Sequence, residues 1–317
     1  MTSTASLESF LSAARLQVDE ALGRFLPTPP ACPALLSEAM RYSVFAGGKR
    51  LRPCLTLAAA DAVARHLSPS TDISAESLEL ALPAACAIEL IHTYSLIHDD
   101  LPAMDDDTLR RGRPTLHVVY GDGIAILAGD GLQAEAFALV AREPVDRTGQ
   151  LATRKLRVLQ TIGDAARSIG LVGGQTVDLQ AAGQAPGHRL ELDAEGVRRM
   201  HAQKTGAMIR AAAVSGAIMA GGDGVAPAVD RYAADLGLAF QIVDDILDVE
   251  GSAPELGKTA GKDASSAKPT YPALHGLEHS RVLAADCIAR AKQTLADAGL
   301  GEGWLAPIAD WVLSRKN

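Results

Sequence analysis

Aromatic residues are scarce in this chain of 317 residues: they make up 4% of it, and only two are tryptophan. With 48% of the sequence hydrophobic, the core must be built from Ala, Leu, Ile and Val, and runs rich in Ala and Leu favour helices over strands. Positive charge is also in deficit. A formal net charge of -8 and a pI near 5.5 leave no basic stripe of the kind that holds a nucleic-acid backbone, so no nucleic-acid partner is expected. Basic residues focused in one cleft remain compatible with a smaller anion. The four cysteines, Cys32, Cys54, Cys86 and Cys287, show no CxxC spacing and read as buried free thiols in a reducing compartment.

Long apolar runs are missing too. The longest, residues 211–220, is interrupted by Ser215 and Gly216 and falls short of the ~20 residues that cross a bilayer. The first residues, MTSTASLESFLSAARLQ, lack a basic segment followed by a continuous apolar one, so they read as an amphipathic helix and not a signal peptide. A cytoplasmic protein without membrane insertion is the expectation. Nothing resembles a linker either, and the expectation is one all-α domain over 1–317, its helices wrapped around something central.

Apolar periodicity predicts helices over about 5–26, ended by Pro27, Pro29, Pro30 and Pro33, then 34–46 and 53–66. A strongly apolar helix follows from 75 to 97, with Pro83 bending it and not ending it. One long helix is predicted from 115 to 141, its Gly121, Gly123, Gly129 and Gly131 implying close packing on a neighbour. Residues 150–180 read as helical with a bend or break at Gly173-Gly174. After a loop at 182–192, Asp193 reads as an N-cap. A helix over 225–249 and two from 279 onwards complete the chain, the last two read as packing only.

Against this background one stretch stands out. Residues 91–113, IHTYSLIHDDLPAMDDDTLRRGR, place five aspartates behind an apolar helix and three arginines directly after them. Carboxylates this dense repel one another unless multivalent cations sit between them. The first two, Asp99 and Asp100, also face the negative end of a helix dipole. A second helix repeats the device in FQIVDDILD, where Asp244 and Asp248 share a face and Gln241 lies one turn before Asp244. Basic turns accompany both acid boxes. GGKRLRP offers Lys49, Arg50 and Arg52 as a diphosphate cradle, although a helix end followed by solvated basic residues reads equally from those residues alone. LGKTAGKDASSAK offers Lys258, Lys262 and Lys268. Lys204-Thr205 on its helix is a weak signal by itself, and Gln175 with Asp178 suits either a cleft or a polar patch at a helix break.

Aspartate oxygens suit Mg²⁺ better than zinc. Two acid boxes facing each other would hold several such ions, the ions and basic turns would hold a diphosphate, and apolar walls call for a hydrocarbon. The residues therefore point to an enzyme that ionises or transfers a prenyl diphosphate. DDLPAMD with RRGRP, QKTG, DDILD and GGKRLRP together resemble the trans-isoprenyl diphosphate synthases, with their motif order kept to at least Tyr271. The resemblance implies that family's all-α fold of ten or more helices around a central cavity, and a homodimer. It implies Asp99, Asp105 and Asp244 as Mg²⁺ ligands, supported by Asp100 and Asp248. Arg110, helped by Lys204, Lys258 and Lys268, would bind the allylic diphosphate. Lys49, Arg52, His92 and Arg111 would bind isopentenyl diphosphate, while Thr205 and Gln241 would lie near the reacting carbons.

The implied reaction is ionisation of dimethylallyl or geranyl diphosphate, attack by isopentenyl diphosphate and proton loss to the released pyrophosphate. Tyr94 and Ser95, together with the Pro102-Ala103 insertion in the first box, resemble bacterial farnesyl diphosphate synthases and imply a C15 product, with C10 and C20 as alternatives. Five residues of helix, ~7.5 Å, is a suitable depth for a floor under Asp99. On an ideal helix, however, Ser95 lies ~40° from Asp99 and Tyr94 ~140°. His98, His117 and His201 read as structural or supporting residues and not metal ligands. A terpene cyclase has no use for GGKRLRP, and a non-catalytic subunit is expected to lose one acid box. A Ca²⁺-stabilised structural protein leaves the basic turns unexplained.

Overall fold

In the computed structural model, residues 6–68, 71–250 and 270–315 are described. Helix α1 (Leu7–Phe25) is capped by Ser6, whose side chain accepts from the Ser9 amide at 3.2 Å. Then come α2 (Ala34–Val44), α3 (Leu51–Leu67) and α4 (Thr71–Asp99), which runs unbroken through Pro83 to the first acid box. A two-residue hairpin pairs β1 (Leu109–Arg110) with β2 (Arg113–Pro114). It is followed by α5 (Leu116–Tyr120), α6 (Asp122–Arg142), α7 (Ala152–Ala166) and α8 (Leu171–Ala181). Helix α9 (Ala194–His201) passes through a turn of π-helix (Ala202–Gly206) into α10 (Ala207–Met219). The remainder is α11 (Ala226–Glu250), α12 (Tyr271–His275), α13 (Leu277–Asp297) and α14 (Leu305–Ser314). The expected all-α architecture of ten or more helices is borne out.

Three boundaries differ from expectation. The helix predicted over 115–141 is two helices, because Gly121 adopts φ 82, a left-handed geometry no α-helix continues through. The break within 150–180 falls at 167–170 and not at Gly173-Gly174. Gly174 lies inside α8, where a side chain would sit 2.3 Å from the Lys204 amide nitrogen. Helix α3 starts at Leu51, ahead of Pro53, which its first turn tolerates because the amide there is unpaired anyway.

Helix α4 is the axis of the fold. It packs against α3, α6 and α10, and α11 lies along α13. Ile88, Leu90 and Ile91, just behind the acid box, are almost wholly buried. Each contributes about 1.5–3 kcal/mol of transfer free energy, so Ile88→Ala there costs roughly 2–5 kcal/mol with its cavity. Small residues make the packing close: from Cys54 to Ala64 every residue of α3 is buried. Helices α4 and α6 are both long and apolar enough by composition to cross a membrane. In α4, 83% of the apolar window is covered by the rest of the chain, whereas in α6 only 39% is. Cys54, Cys86 and Cys287 are buried free thiols as expected, and burial pushes Cys54 up to about 12; Cys32 is only half-buried.

Candidate active site

The first acid box is shaped by backbone hydrogen bonds. After α4 ends, the chain turns through Pro102-Ala103 and comes back, the Asp105 amide donating to the Asp99 carbonyl at 2.9 Å and that of Asp107 to Asp100 at 3.2 Å. The Gln184 side-chain amide, from the loop after α8, donates to the Met104 carbonyl at 2.9 Å and steadies the turn. Asp99 and Asp105 are thereby held side by side. Burial pushes the Asp99 carboxyl up to about 6; Lys204 opposes this, and the charges of Asp105 and Asp100 add to it. Asp100 points elsewhere. It is buried and accepts from Arg110 at 2.6, 2.8 and 2.9 Å, a charge-assisted fork that the β1–β2 hairpin aims back at α4.

The basic turn before α3 lies beside this hairpin. Arg111, at φ 53, donates to the Gly47 carbonyl, and its guanidinium fills the space over Gly48, where a side chain would meet it at 2.5 Å. Gly48 thus makes room for an arginine instead of for an anion. Arg50 turns inward to pair with Asp19 of α1 at 2.9 Å and Glu89 of α4 at 2.7 Å, so it anchors the turn and leaves Lys49 and Arg52 to the site. Burial keeps His92 neutral, its pKa well below the ordinary value, and the charges of Arg52, Arg111, Arg110 and Arg50 act in the same direction. The Arg52 Nε is buried without a hydrogen-bond partner among the described residues.

Lys204 and Thr205 stand on the π turn, pressed against α8 through Gly174. Lys204 pairs with Asp178 at 2.6 Å. Burial works against its ammonium, but Asp178, Asp99 and Asp105 outweigh it and raise the pKa. One residue on, Thr205 Oγ1 donates to Gln241 Oε1 of α11 at 3.2 Å, and Gln241 Nε2 donates to Asp245 at 3.0 Å. Asp245 is buried and also accepts from the Tyr271 amide at 2.9 Å, which ties the start of α12 to the second box. Asp244 instead faces the basic turn, and its charge reaches both Lys49 and Arg52. Arg315, just past α14, crosses to it at 2.6 Å, donates to the Phe240 carbonyl at 2.8 Å and lies 3.9 Å over the Phe240 ring. Lys49 rests over the Trp311 ring at 5.7 Å.

A model of the polyprenyl synthetase family matches residues 33–298. The chain belongs to that family. It is 41% identical over 311 residues to the farnesyl diphosphate synthase of Geobacillus stearothermophilus, covering 98% of both chains. It is 39% identical over 317 residues to the geranylgeranyl diphosphate synthase of Cyanophora paradoxa, covering 98% of this chain and 97% of that one. Among solved structures, a geranyltransferase from Helicobacter pylori complexed with magnesium and isoprenyl diphosphate superposes with a TM-score of 0.79 at 28% identity, over 99% of this chain and 98% of that one. The protein is a prenyltransferase of the trans-prenyl diphosphate synthase type.

In this polyprenyl synthetase Asp99, Asp105, Lys204, Thr205, Gln241, Asp244, Lys49, Arg52, His92, Arg110 and Arg111 are linked by the contacts and charges above. Asp248 lies half-buried one turn beyond Asp244. Lys258, Lys262 and Lys268 fall outside the described residues. Asp100, expected as a supporting acid for metal, is here the anchor of Arg110. Sequence reasoning assigned no role to Asp245 and read the C-terminal helices as packing alone. Arg315 corrects that reading, and its only sequence signal is a basic cluster at the chain's end. No three acidic, histidine or cysteine side chains converge on one point among the described residues. The donor set nonetheless fits Mg²⁺, which takes one or two carboxylates and fills its remaining positions with water and phosphate oxygens. Burial is the main cause of the raised Asp99 carboxyl, with the neighbouring Asp105 and Asp100 charges adding to it, and a cation bound there would offset both.

Proposed function

We propose that this prenyltransferase condenses isopentenyl diphosphate with dimethylallyl or geranyl diphosphate, head to tail, and releases farnesyl diphosphate (C15) as its main product. The observation that carries the chain length is Tyr94. It is 6% exposed, its hydroxyl is buried without a hydrogen-bond partner among the described residues, and burial together with the Asp99 charge raises its pKa. Its ring lies against His98, which reaches α6, and the Asp99 charge reaches it from the end of the same helix. The small Ser95 follows it, its hydroxyl donating to the His92 carbonyl at 2.9 Å.

Asp99, Asp105 and Asp244 would hold Mg²⁺, which when bound supplies positive charge to the diphosphate oxygens of the allylic substrate. Lys204 and Arg110 add fixed charge there, each preorganised by its own carboxylate. Lys49, Arg52 and Arg111, with neutral His92 as a hydrogen-bond partner, receive the second diphosphate. The dipoles of Thr205 and Gln241 point where positive charge develops on the allylic carbons, and departing pyrophosphate takes the proton. Val118, Val119, Ile126 and Leu127 form an exposed apolar face on α5 and α6, which supports a homodimer through those helices. The free thiols favour a cytoplasmic location.

The test incubates purified protein with Mg²⁺, isopentenyl diphosphate and either allylic primer, and measures product length by chromatography. A C15 product is expected, and Tyr94→Ala should shift it to C20 or beyond. No condensation with any primer would overturn the synthase reading, and unchanged C15 from Tyr94→Ala would remove Tyr94 as the floor.

A further inference from the structure

A floor works only if it stays put, and nothing holds Tyr94 by its tip, since the hydroxyl has no hydrogen-bond partner among the described residues. The ring is held by its flank. His98, one turn further along the same face of α4, meets it edge-on with centroids 5.7 Å apart and planes at 76°. His98 is in turn fixed to the opposite wall: its Nε2 lies 3.2 Å from the Ile126 carbonyl of α6. A carbonyl only accepts, so Nε2 carries the hydrogen in this contact. The α6 residue facing the imidazole is Gly129, where a side chain would come within 2.1 Å of Nε2. The imidazole therefore fills the seam between α4 and α6, with Gly129 as its seat, and the nearest carboxylate, Asp130 at 3.9 Å, lies on the outer side.

We propose that His98 is a positioning residue for product length, which clamps the Tyr94 ring across the floor by bracing it against Gly129 and the Ile126 carbonyl of α6. The proposal rests on Tyr94 being the floor. His98 touches no substrate; it acts by denying Tyr94 the room to rotate away as the prenyl tail pushes down.

The test uses the full chain with Mg²⁺, isopentenyl diphosphate and geranyl diphosphate, reading the C20 to C15 ratio and thermal unfolding for Tyr94→Ala, His98→Ala, His98→Gln and the double variant Tyr94→Ala/His98→Ala. His98→Ala is expected to raise the C20 to C15 ratio ~10-fold, because it removes both the ring flank and the hydrogen bond. His98→Gln keeps an N–H near the position of Nε2 and should restore part of the wild-type ratio. The double variant should make products no longer than Tyr94→Ala alone, since the histidine acts through the tyrosine. A lowered melting temperature with an unchanged ratio in both His98 variants overturns the clamp, as does a double variant whose effects add. If Tyr94→Ala lengthens the product and His98→Ala does not, only the clamp falls. If Tyr94→Ala changes nothing, the floor itself falls and the clamp with it.

Discussion

The two acid boxes look alike as text and are neutralised differently. In the first, Asp100 is paired by Arg110, ten residues on and delivered by the hairpin that follows, while Asp99 and Asp105 share the more distant Lys204. In the second, Asp244 is paired by Arg315 from the end of the described chain, and Asp245 turns inward to hold Gln241 and Tyr271. One box carries a counter-charge only ten residues on. The other takes its arginine from just past α14, 71 positions on. Removing Asp99 should therefore relieve a buried charge at the first site, whereas removing Asp244 strands a cation at the second.

The sharpest test of that contrast pairs activity with stability. Asp99→Ala and Asp244→Ala should each lower the condensation rate by ~10³-fold or more, since both remove charge that organises the diphosphate. Their melting temperatures without metal should move in opposite directions: up for Asp99→Ala, which removes a buried carboxylate, and down for Asp244→Ala, which leaves the buried Arg315 side chain beside an empty position. Shifts of the same sign would break the comparison. A smaller loss, ~10²-fold in kcat/KM for the allylic substrate, is expected of Arg110→Lys, because a lysine cannot reproduce the fork on Asp100.

Smaller effects sharpen the picture further. Arg315→Gln should lower the melting temperature by ~2–4 °C with the first box undisturbed, read by calorimetry. The pH dependence of the metal-free protein isolates Asp99. Its carboxyl is raised from 3.8 to about 6 by burial, so the folded state favours the protonated form. Its stabilising contribution is whole below about pH 4 and is lost as pH rises through about 6. Asp99→Asn should melt ~2–4 °C above the parent at pH 7.5 and level with it below pH 4. A constant gap across that range would show that the acid is not raised in the folded protein.

Much of this was legible in the sequence, and the failures share a cause. Apolar spacing placed α1, α2 and α11 to within a few residues because each buries one face, and α4 because its apolar run is buried almost all round. The long helix over 115–141 was misread because an isolated glycine looks the same whether it packs closely, as Gly129 does, or reverses φ, as Gly121 does. Asp99, Asp105 and Asp244 declared themselves by density, since like charges cluster at a cost. Asp245 carries the same letter in the same motif, and only its contact with Tyr271, 26 positions away, distinguishes its role. Arg315 was illegible for the same reason, its partner lying 71 positions upstream.

The π turn at Ala202–Gly206 has a consequence for how such a site can be altered. It holds one residue more than an α-helical turn, and on it the neighbours Lys204 and Thr205 serve different walls, one Asp178 of α8, the other Gln241 of α11. Deleting a single residue there would merge α9 and α10 into one regular helix and rotate the first ~100° against the second. Val197 and Met200, now buried, would then leave their seats, or Lys204 would leave Asp178. The local frame of the active site is thus set by the count of residues as well as by their kind, and one codon gained or lost is enough to create it or undo it.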